Sequence, residues 1–493
     1  MIECMGLVGR GRPRGGYAYS GYVFVMKTMK RTRNSQDKAQ MTFLEMFALG
    51  FGSIIGVGWS STLNNLLKNG GGAIPATITF VIATFLFLPI AYCFSMLASE
   101  MPGPGGVTNY ANKAFGKKTA FVAGWFMTMA YMAILPFESI AVSDILGYIF
   151  PKLKEGTVLY SIAGEDVYLS TALIGVGFGI LICLVNWRGM KAGVRFQKVM
   201  ITSLLIGSSI CVAFCLFKAD VGYLLNPIYA PVQGMSHSTM LMGILTLLAM
   251  TPQYFSGFDT IPQSAEFANA RTMKRSMLVA VVFAGLFYCL IFVTTGLAYP
   301  WQITVQLGRP VLSNLLIAIY PGSIGKMLWY ICIISTLAGL FSAWNGFFLA
   351  STRALYGMAI AKLLPKAFLK SNSRFGTPLL PLFLCAGVMF AGPFLGAGVL
   401  DIICKLASAG FIVAWGIASS AAYKLQAAGT LIEKGTAYKK RMSILSLSAL
   451  VICVIMLLNS VLPVMPGFMG TGGIVALVSW SSLGLILCRY CMH

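Results

Sequence analysis

Apolar residues gather in twelve long runs separated by short polar loops, at about 43–67, 74–98, 118–149, 168–187, 196–217, 237–265, 275–299, 324–361, 378–396, 399–424, 443–463 and 468–488. A helix of ~20 apolar residues crosses ~30 Å of hydrocarbon. The pattern therefore predicts an all-α integral membrane protein of about 12 transmembrane helices. The runs at 118–149, 237–265 and 324–361 exceed one crossing and must tilt, break or extend past the bilayer. Two runs are interrupted from within. The first holds Gly50, Gly52, Gly56 and Gly58. Glycine costs about 1 kcal/mol per helix position relative to alanine, so this cluster predicts a local break as well as close packing. The sixth carries Pro252, Gly257, Asp259 and Pro262 at mid-membrane by position. Proline removes a backbone donor, and an acid at depth marks a functional candidate. A break inside the bilayer is tolerated only where the freed backbone groups line a cavity or meet a ligand.

The two breaks lie five runs apart. Matching interruptions in two halves point to a transporter built from inverted repeats, with its site near the midplane. The expected organisation is a first five-helix repeat at 42–217, a second, inverted one at 236–424 and two further helices at 443–490. Residues 54–58 and 255–259 are expected to be non-helical and to face each other.

Composition narrows the class. Of the 493 residues 57% are hydrophobic and only 10% charged, whereas a soluble chain carries about 25% charged residues. The net charge of +22 does not signal nucleic acid, because the bases sit in short loops between apolar runs. Of the 36 Lys and Arg, 29 fall on one side of the predicted membrane, six on the other, and Lys405 within a span. By the positive-inside rule both termini are cytoplasmic, and a multi-pass protein of the cell membrane is expected. Residues 1–41, with Arg10, Arg12 and Arg14, read as a disordered cytoplasmic tail. The cysteines lie mostly within apolar runs and read as small buried hydrophobes. His237 and His493 are too far apart in sequence to suggest a metal, and no cofactor is expected.

Several motifs now fall into order: Gly52-Ser53-Ile54-Ile55-Gly56-Val57-Gly58, Glu100-Met101-Pro102-Gly103-Pro104-Gly105-Gly106, Gly124-Trp125, Ser256-Gly257-Phe258-Asp259 with Ala265-Glu266, Asn345, Ser351-Thr352-Arg353-Ala354-Leu355-Tyr356-Gly357, and Gly376-Thr377-Pro378. In that order and spacing the chain, from ~42 to ~490, resembles the amino acid–polyamine–organocation transporter superfamily, with its leucine-transporter-type fold. The resemblance implies that backbone N–H groups at Ile55, Gly56, Val57 and Gly58 hold a substrate carboxylate, since a half-helix N-terminus offers unpaired donors. It implies that carbonyls at Phe255, Ser256 and Phe258 meet the substrate amine, with Phe258 or Tyr254 as an aromatic lid. It also implies a sodium-type site using hydroxyls such as Ser335, Thr336 and Ser342. The chain departs from the family where Val57 supplies no hydroxyl, where Phe267 follows Glu266, and where no lysine occurs in Val199–Phe217.

Glu138, midway along the third run, and Asp259 are the two acids at depth. An unpaired carboxyl there is a candidate proton carrier, and an ionised one favours a cationic substrate. Lys405 stands four residues after Asp401 and is expected to pair with it. Arg353 and Arg275 read as headgroup-facing bases, or alternatively as partners in a cytoplasmic gate. The expected activity is secondary active transport of a neutral or cationic amino acid or related amine, by alternating access, coupled to H+ or Na+ or by exchange. Lipid is the only other expected partner. A channel or an enzyme fits less well, since no filter-like segment and no nucleotide- or metal-binding motif occurs. A nutrient sensor sharing the transporter fold remains the alternative.

Overall fold

A computed structural model describes residues 40–162, 164–232, 238–429 and 436–492. The expected tail therefore lies, but for its last two residues, outside the described residues. The helices in chain order are α1 Phe43–Ile54, α2 Leu63–Gly70, α3 Ala73–Glu100, α4 Val107–Phe115, α5 Lys117–Ile149, α6 Leu169–Trp187, α7 Met190–Phe217, α8 Val221–Leu225, α9 Met240–Phe255, α10 Ala270–Ala298, α11 Trp301–Thr304, α12 Val311–Ile319, α13 Ser323–Ile360, α14 Leu379–Ala391, α15 Leu400–Ala427, α16 Thr436–Val461 and α17 Gly470–Met492. Among the described residues nine helices are long and apolar enough to cross a membrane, and α1 and α14 are shorter apolar helices. One antiparallel hairpin, β1 Val158–Ile162 with β2 Glu165–Tyr168, joins α5 to α6. The chain is thus helical in its membrane part but not wholly α.

Local chemistry accounts for the helix starts. Thr42 and Glu45 form a capping box at α1, with the Glu45 N–H donating to Thr42 Oγ1 at 3.3 Å and the Thr42 N–H to Glu45 Oε2 at 2.9 Å. Asn269 Oδ1 accepts the Thr272 N–H at 2.8 Å and opens α10. These bonds satisfy donors that a helix N-terminus otherwise leaves free.

Of the three over-long runs, two stay continuous and one breaks. The 33 residues of α5 pass through Pro136 without interruption, and α13 runs for 38. At 1.5 Å per residue both reach well beyond ~30 Å of hydrocarbon. The sixth run ends as α helix at Phe255 and continues as a 3-10 helix, Phe258–Phe267. The expectation of a non-helical 255–259 is corrected accordingly: only Ser256 and Gly257 leave helical geometry. The first break is longer than expected, with Ile54 still helical and the chain irregular from 55 to 62. Helix α7 begins at Met190, six residues ahead of the apolar run. Packing places α3 against α10, α5 against α15 and α13, and α7 against α13, around the two broken segments.

Candidate functional site

The four glycines of the first break divide by function. A Cβ on Gly50 would meet the Ile261 side chain, and one on Gly52 would come within 2.5 Å of Gln197 Nε2. Both are packing positions, where two helices need close approach. Gly56 is different. It is part-exposed, and the nearest atom to a Cβ there is Glu138 Oε1 at 3.5 Å. Gly58 lies beneath the Tyr254 ring, 2.7 Å from a would-be Cβ. The Ile55 N–H still donates to Phe51 O at 3.0 Å and closes α1. Among the described residues, the next three N–H groups, of Gly56, Val57 and Gly58, donate to no protein acceptor. On the other side of this strand, a Cβ on Gly339 of α13 would come within 2.8 Å of Gly56 O.

Glu138 faces this open backbone from α5. It is 3% exposed, and its Oε2 has no hydrogen-bond partner. Such a group costs free energy unless a partner or proton satisfies it. Seven residues earlier on the same face of α5, the Tyr131 hydroxyl donates to Asp259 O at 2.8 Å. One helix face therefore touches both breaks.

The second break is finished from within. Gly257 has φ +126°, and a Cβ on it would stand 2.7 Å from Ile54 N and Ser53 C. Only glycine permits both the dihedral and this approach of the two breaks. The Gly257 N–H donates to Asp259 Oδ1 at 3.0 Å, and the Trp415 indole N–H to Asp259 Oδ2 at 2.9 Å. The Asp259 carboxylate is thus fully engaged in holding the turn. The Ser256 hydroxyl donates back to Gln253 O at 2.9 Å. Phe255 stacks on Phe87 at 4.8 Å, and Phe258 packs against Trp415 at 5.4 Å and Phe94 at 5.8 Å. Their rings belong to the packed core, and Tyr254 is the aromatic that covers the first break.

The structure thus brings Ile55, Gly56, Val57, Gly58 and Glu138 together, and sets Gly257 against the end of α1. The hydroxyls on α13 diverge. Ser335 donates across to Leu204 O at 2.9 Å, and Thr336 folds back onto Cys332 O at 2.8 Å. Ser342 accepts from Gln197 Nε2 at 2.9 Å.

That last contact belongs to a buried amide chain that the apolar pattern conceals. Asn186 Nδ2 donates to Asn345 Oδ1 at 3.0 Å, Asn345 Nδ2 to Gln197 Oε1 at 2.6 Å, and Gln197 Nε2 to Ala48 O at 3.3 Å. It ties α6, α7, α13 and α1 without a formal charge. Asn345 Nδ2 also donates to Gly193 O at 3.1 Å, so a signal was available in the i, i+4 relation of Gly193 and Gln197 once α7 is extended to its true start. Trp415 and Tyr131 carried no such signal.

Charged residues cap the two ends. Arg353 is buried, pairs with Glu266 at 2.9 Å and donates from Nε to Gln263 O, so it is a partner in an interhelical lock rather than a headgroup-facing base. Arg275 lies over the Phe43 ring at 5.1 Å. Lys405 and Asp401 form the expected pair at 2.7 Å, both well exposed.

The profile of a family described as amino acid permease matches residues 41–489. A methylthioribose transporter of Bacillus subtilis is 22% identical over 412 residues, covering 81% of this chain and 84% of the relative. The glutamate/serine transporter AimA of the same organism is 25% identical over 396 residues, 76% of this chain and 69% of the relative. The branched-chain amino acid permease BcaP of Bacillus subtilis is 23% identical over 468 residues, 91% of this chain and 92% of the relative.

Proposed function

The chain belongs to the amino acid permease family, and from that premise we propose that it is a secondary active transporter of a neutral or cationic amino acid or related amine. The observation that carries this reading is the pairing of opposite needs at the first break. Unbonded N–H groups at Gly56, Val57 and Gly58 suit a carboxylate, and Glu138, with an unsatisfied buried oxygen, suits an ammonium group or a proton. A zwitterion answers both. An acidic substrate would add a second carboxylate beside Glu138 in a medium of low dielectric, where repulsion is strong. The relatives' names range from glutamate and serine to branched-chain amino acids, so the choice of substrate rests on this chain's own side chains.

In this reading the carbonyls of Phe255 and Ser256 meet the amine, while Phe258 lies within the 3-10 segment, where carbonyls are taken up by N–H groups three residues on. Ile55 closes α1 and shapes the site by its backbone. Asp259 acts through Gly257 and Trp415 as a positioning residue. Glu138 is the candidate for H+ coupling. A Na+ site at the first break would draw on Ser342 and the Gly56 carbonyl rather than on Ser335 or Thr336, which are turned away.

The proposed frame is twelve spans in the plasma membrane, with both termini cytoplasmic and repeats at 42–217 and 236–424. The packing supports the repeat. Exchanging spans one to five with six to ten maps the α5–α15 contact onto the α13–α7 contact, and both are among the most extensive in the bundle. Uptake of a panel of labelled amino acids and amines into proteoliposomes tests the function. Saturable uptake of a neutral or basic member, driven by a proton or sodium gradient or by internal substrate, is expected. Specific binding without uptake would instead identify a sensor, and preferential uptake of glutamate would reject the charge argument.

A further inference from the structure

A groove of about 520 Å³ lies along the outer face of the α6–α7 hairpin, walled by Leu181, Leu184, Phe196 and Val199 and bordered by Arg188 and Arg195. Leu181, Leu184 and Val199 are 43%, 57% and 54% exposed, so this wall faces hydrocarbon rather than the bundle. Arg188 caps the end of α6, and α7 starts two residues later. The turn between two spans is where the chain leaves hydrocarbon, so the arginines stand at headgroup level with an apolar channel leading from them towards the bilayer centre.

Both arginines are exposed, and among the described residues neither has a carboxylate within ion-pair range. Of the other bases at this end, Arg353 is answered by Glu266 at 2.9 Å, and Lys198, three residues after Arg195, by Glu45 at 3.7 Å. The chain holds no acid between Asp166 and Asp220, yet four bases between Arg188 and Lys198. Among the described residues nothing supplies the counter-charge at this corner, and an anion from outside the chain would.

We propose that the groove binds one anionic phospholipid of the leaflet facing the basic loops, its phosphate held between Arg188 and Arg195 and an acyl chain lying along Leu181, Leu184 and Val199. Guanidinium groups match phosphate oxygens in pairs, and basic pockets between spanning helices recognise anionic headgroups. A zwitterionic lipid brings its own cation to the same corner and is disfavoured. The bound lipid would sit on the outer face of α7, whose inner face holds α1 through Gln197 and Ala48 O.

Native mass spectrometry of the purified full chain, equilibrated with equal amounts of phosphatidylglycerol and phosphatidylcholine, tests this. The wild type should retain one phosphatidylglycerol in clear excess, and each arginine removed should lower that excess by about fivefold. Arg188→Gln/Arg195→Gln should bring the two lipids near parity. Leu184→Trp, which fills the groove and keeps both charges, should also release the lipid, and it serves where the double variant does not fold. Lys362→Gln/Lys366→Gln, which removes two bases outside the groove, should leave the excess intact. Equal retention of both lipids by the wild type, an unchanged excess in the arginine variant, or an equal fall in the lysine variant would each overturn the proposal.

Discussion

The two broken helices solve one problem in opposite ways. Both interrupt a segment that in the proposed frame spans the membrane, where water cannot satisfy the backbone. At the second break the protein supplies the partners of the turn itself and, among the described residues, leaves only the Phe255 and Ser256 carbonyls for a ligand. Asp259 accepts from Gly257 and Trp415, Tyr131 donates to the Asp259 carbonyl, and aromatic rings close the surroundings. At the first break three N–H groups stay open and the nearest acid, Glu138, has an unsatisfied oxygen. A self-satisfied break is a joint. We read an unsatisfied one as a receptor, because the energy missing from the protein is available to a ligand. The difference also reverses the natural reading of the two acids: Asp259, the more conspicuous in sequence, is occupied, and Glu138 is free to act.

Substitutions that separate joint from receptor should differ most between the two glycines. Gly257→Ala places a Cβ against the backbone of Ser53 and Ile54 at φ +126°, so it should cost ~3 kcal/mol or more and sharply lower the folded yield seen by size-exclusion chromatography. Gly56→Ala meets only Glu138 Oε1 at 3.5 Å and should cost no more than about 1 kcal/mol while depressing substrate binding. Equal losses of fold in the two variants would erase the distinction.

Trp415→Phe keeps an aromatic ring but removes a donor to a buried carboxylate. It should destabilise by about 1–3 kcal/mol in thermal denaturation. Adding Asp259→Asn should then cost less than it does alone, because the two act as one unit. Strict additivity would mean the indole–carboxylate bond is incidental.

Glu138→Gln should be nearly silent in stability, within about 1 kcal/mol, because Oε2 gives up no hydrogen bond. Transport should nonetheless fall by on the order of tenfold, the worth of one charge-assisted contact, with a flattened pH profile. The smallest effect is expected at the rim. Lys405→Gln breaks an exposed i, i+4 pair and should change stability by less than about 1 kcal/mol and leave uptake unaltered.

Much of this was legible in the chain itself. The apolar runs locate the long helices, and glycine and proline clusters locate both breaks, because backbone preference acts locally. Helix starts were less visible wherever polar residues continue a helix into the bundle. Lys191, Arg195 and Lys198 read as loop bases, yet they lie on α7, and the partners of Gln197 beside them, Ser342 and Asn345, are far away in sequence. The roles of Phe255, Phe258 and Asp259 depend on partners more than a hundred residues away, such as Phe87 and Trp415, and no local pattern reports those. Arg353 resembles any other base of its loop until Glu266 folds beside it.

The central claim is that the first break receives the substrate and that Glu138 answers its positive charge. Equilibrium binding of the best transported substrate to wild type, Glu138→Gln and Asp259→Asn, each at matched folded concentration and over a range of pH, tests it most directly. The account predicts that Glu138→Gln weakens binding and removes its pH dependence at unchanged melting temperature, while Asp259→Asn lowers the melting temperature and keeps the pH dependence. Wild-type affinity and pH dependence in Glu138→Gln, with both lost in a fully folded Asp259→Asn, would contradict it.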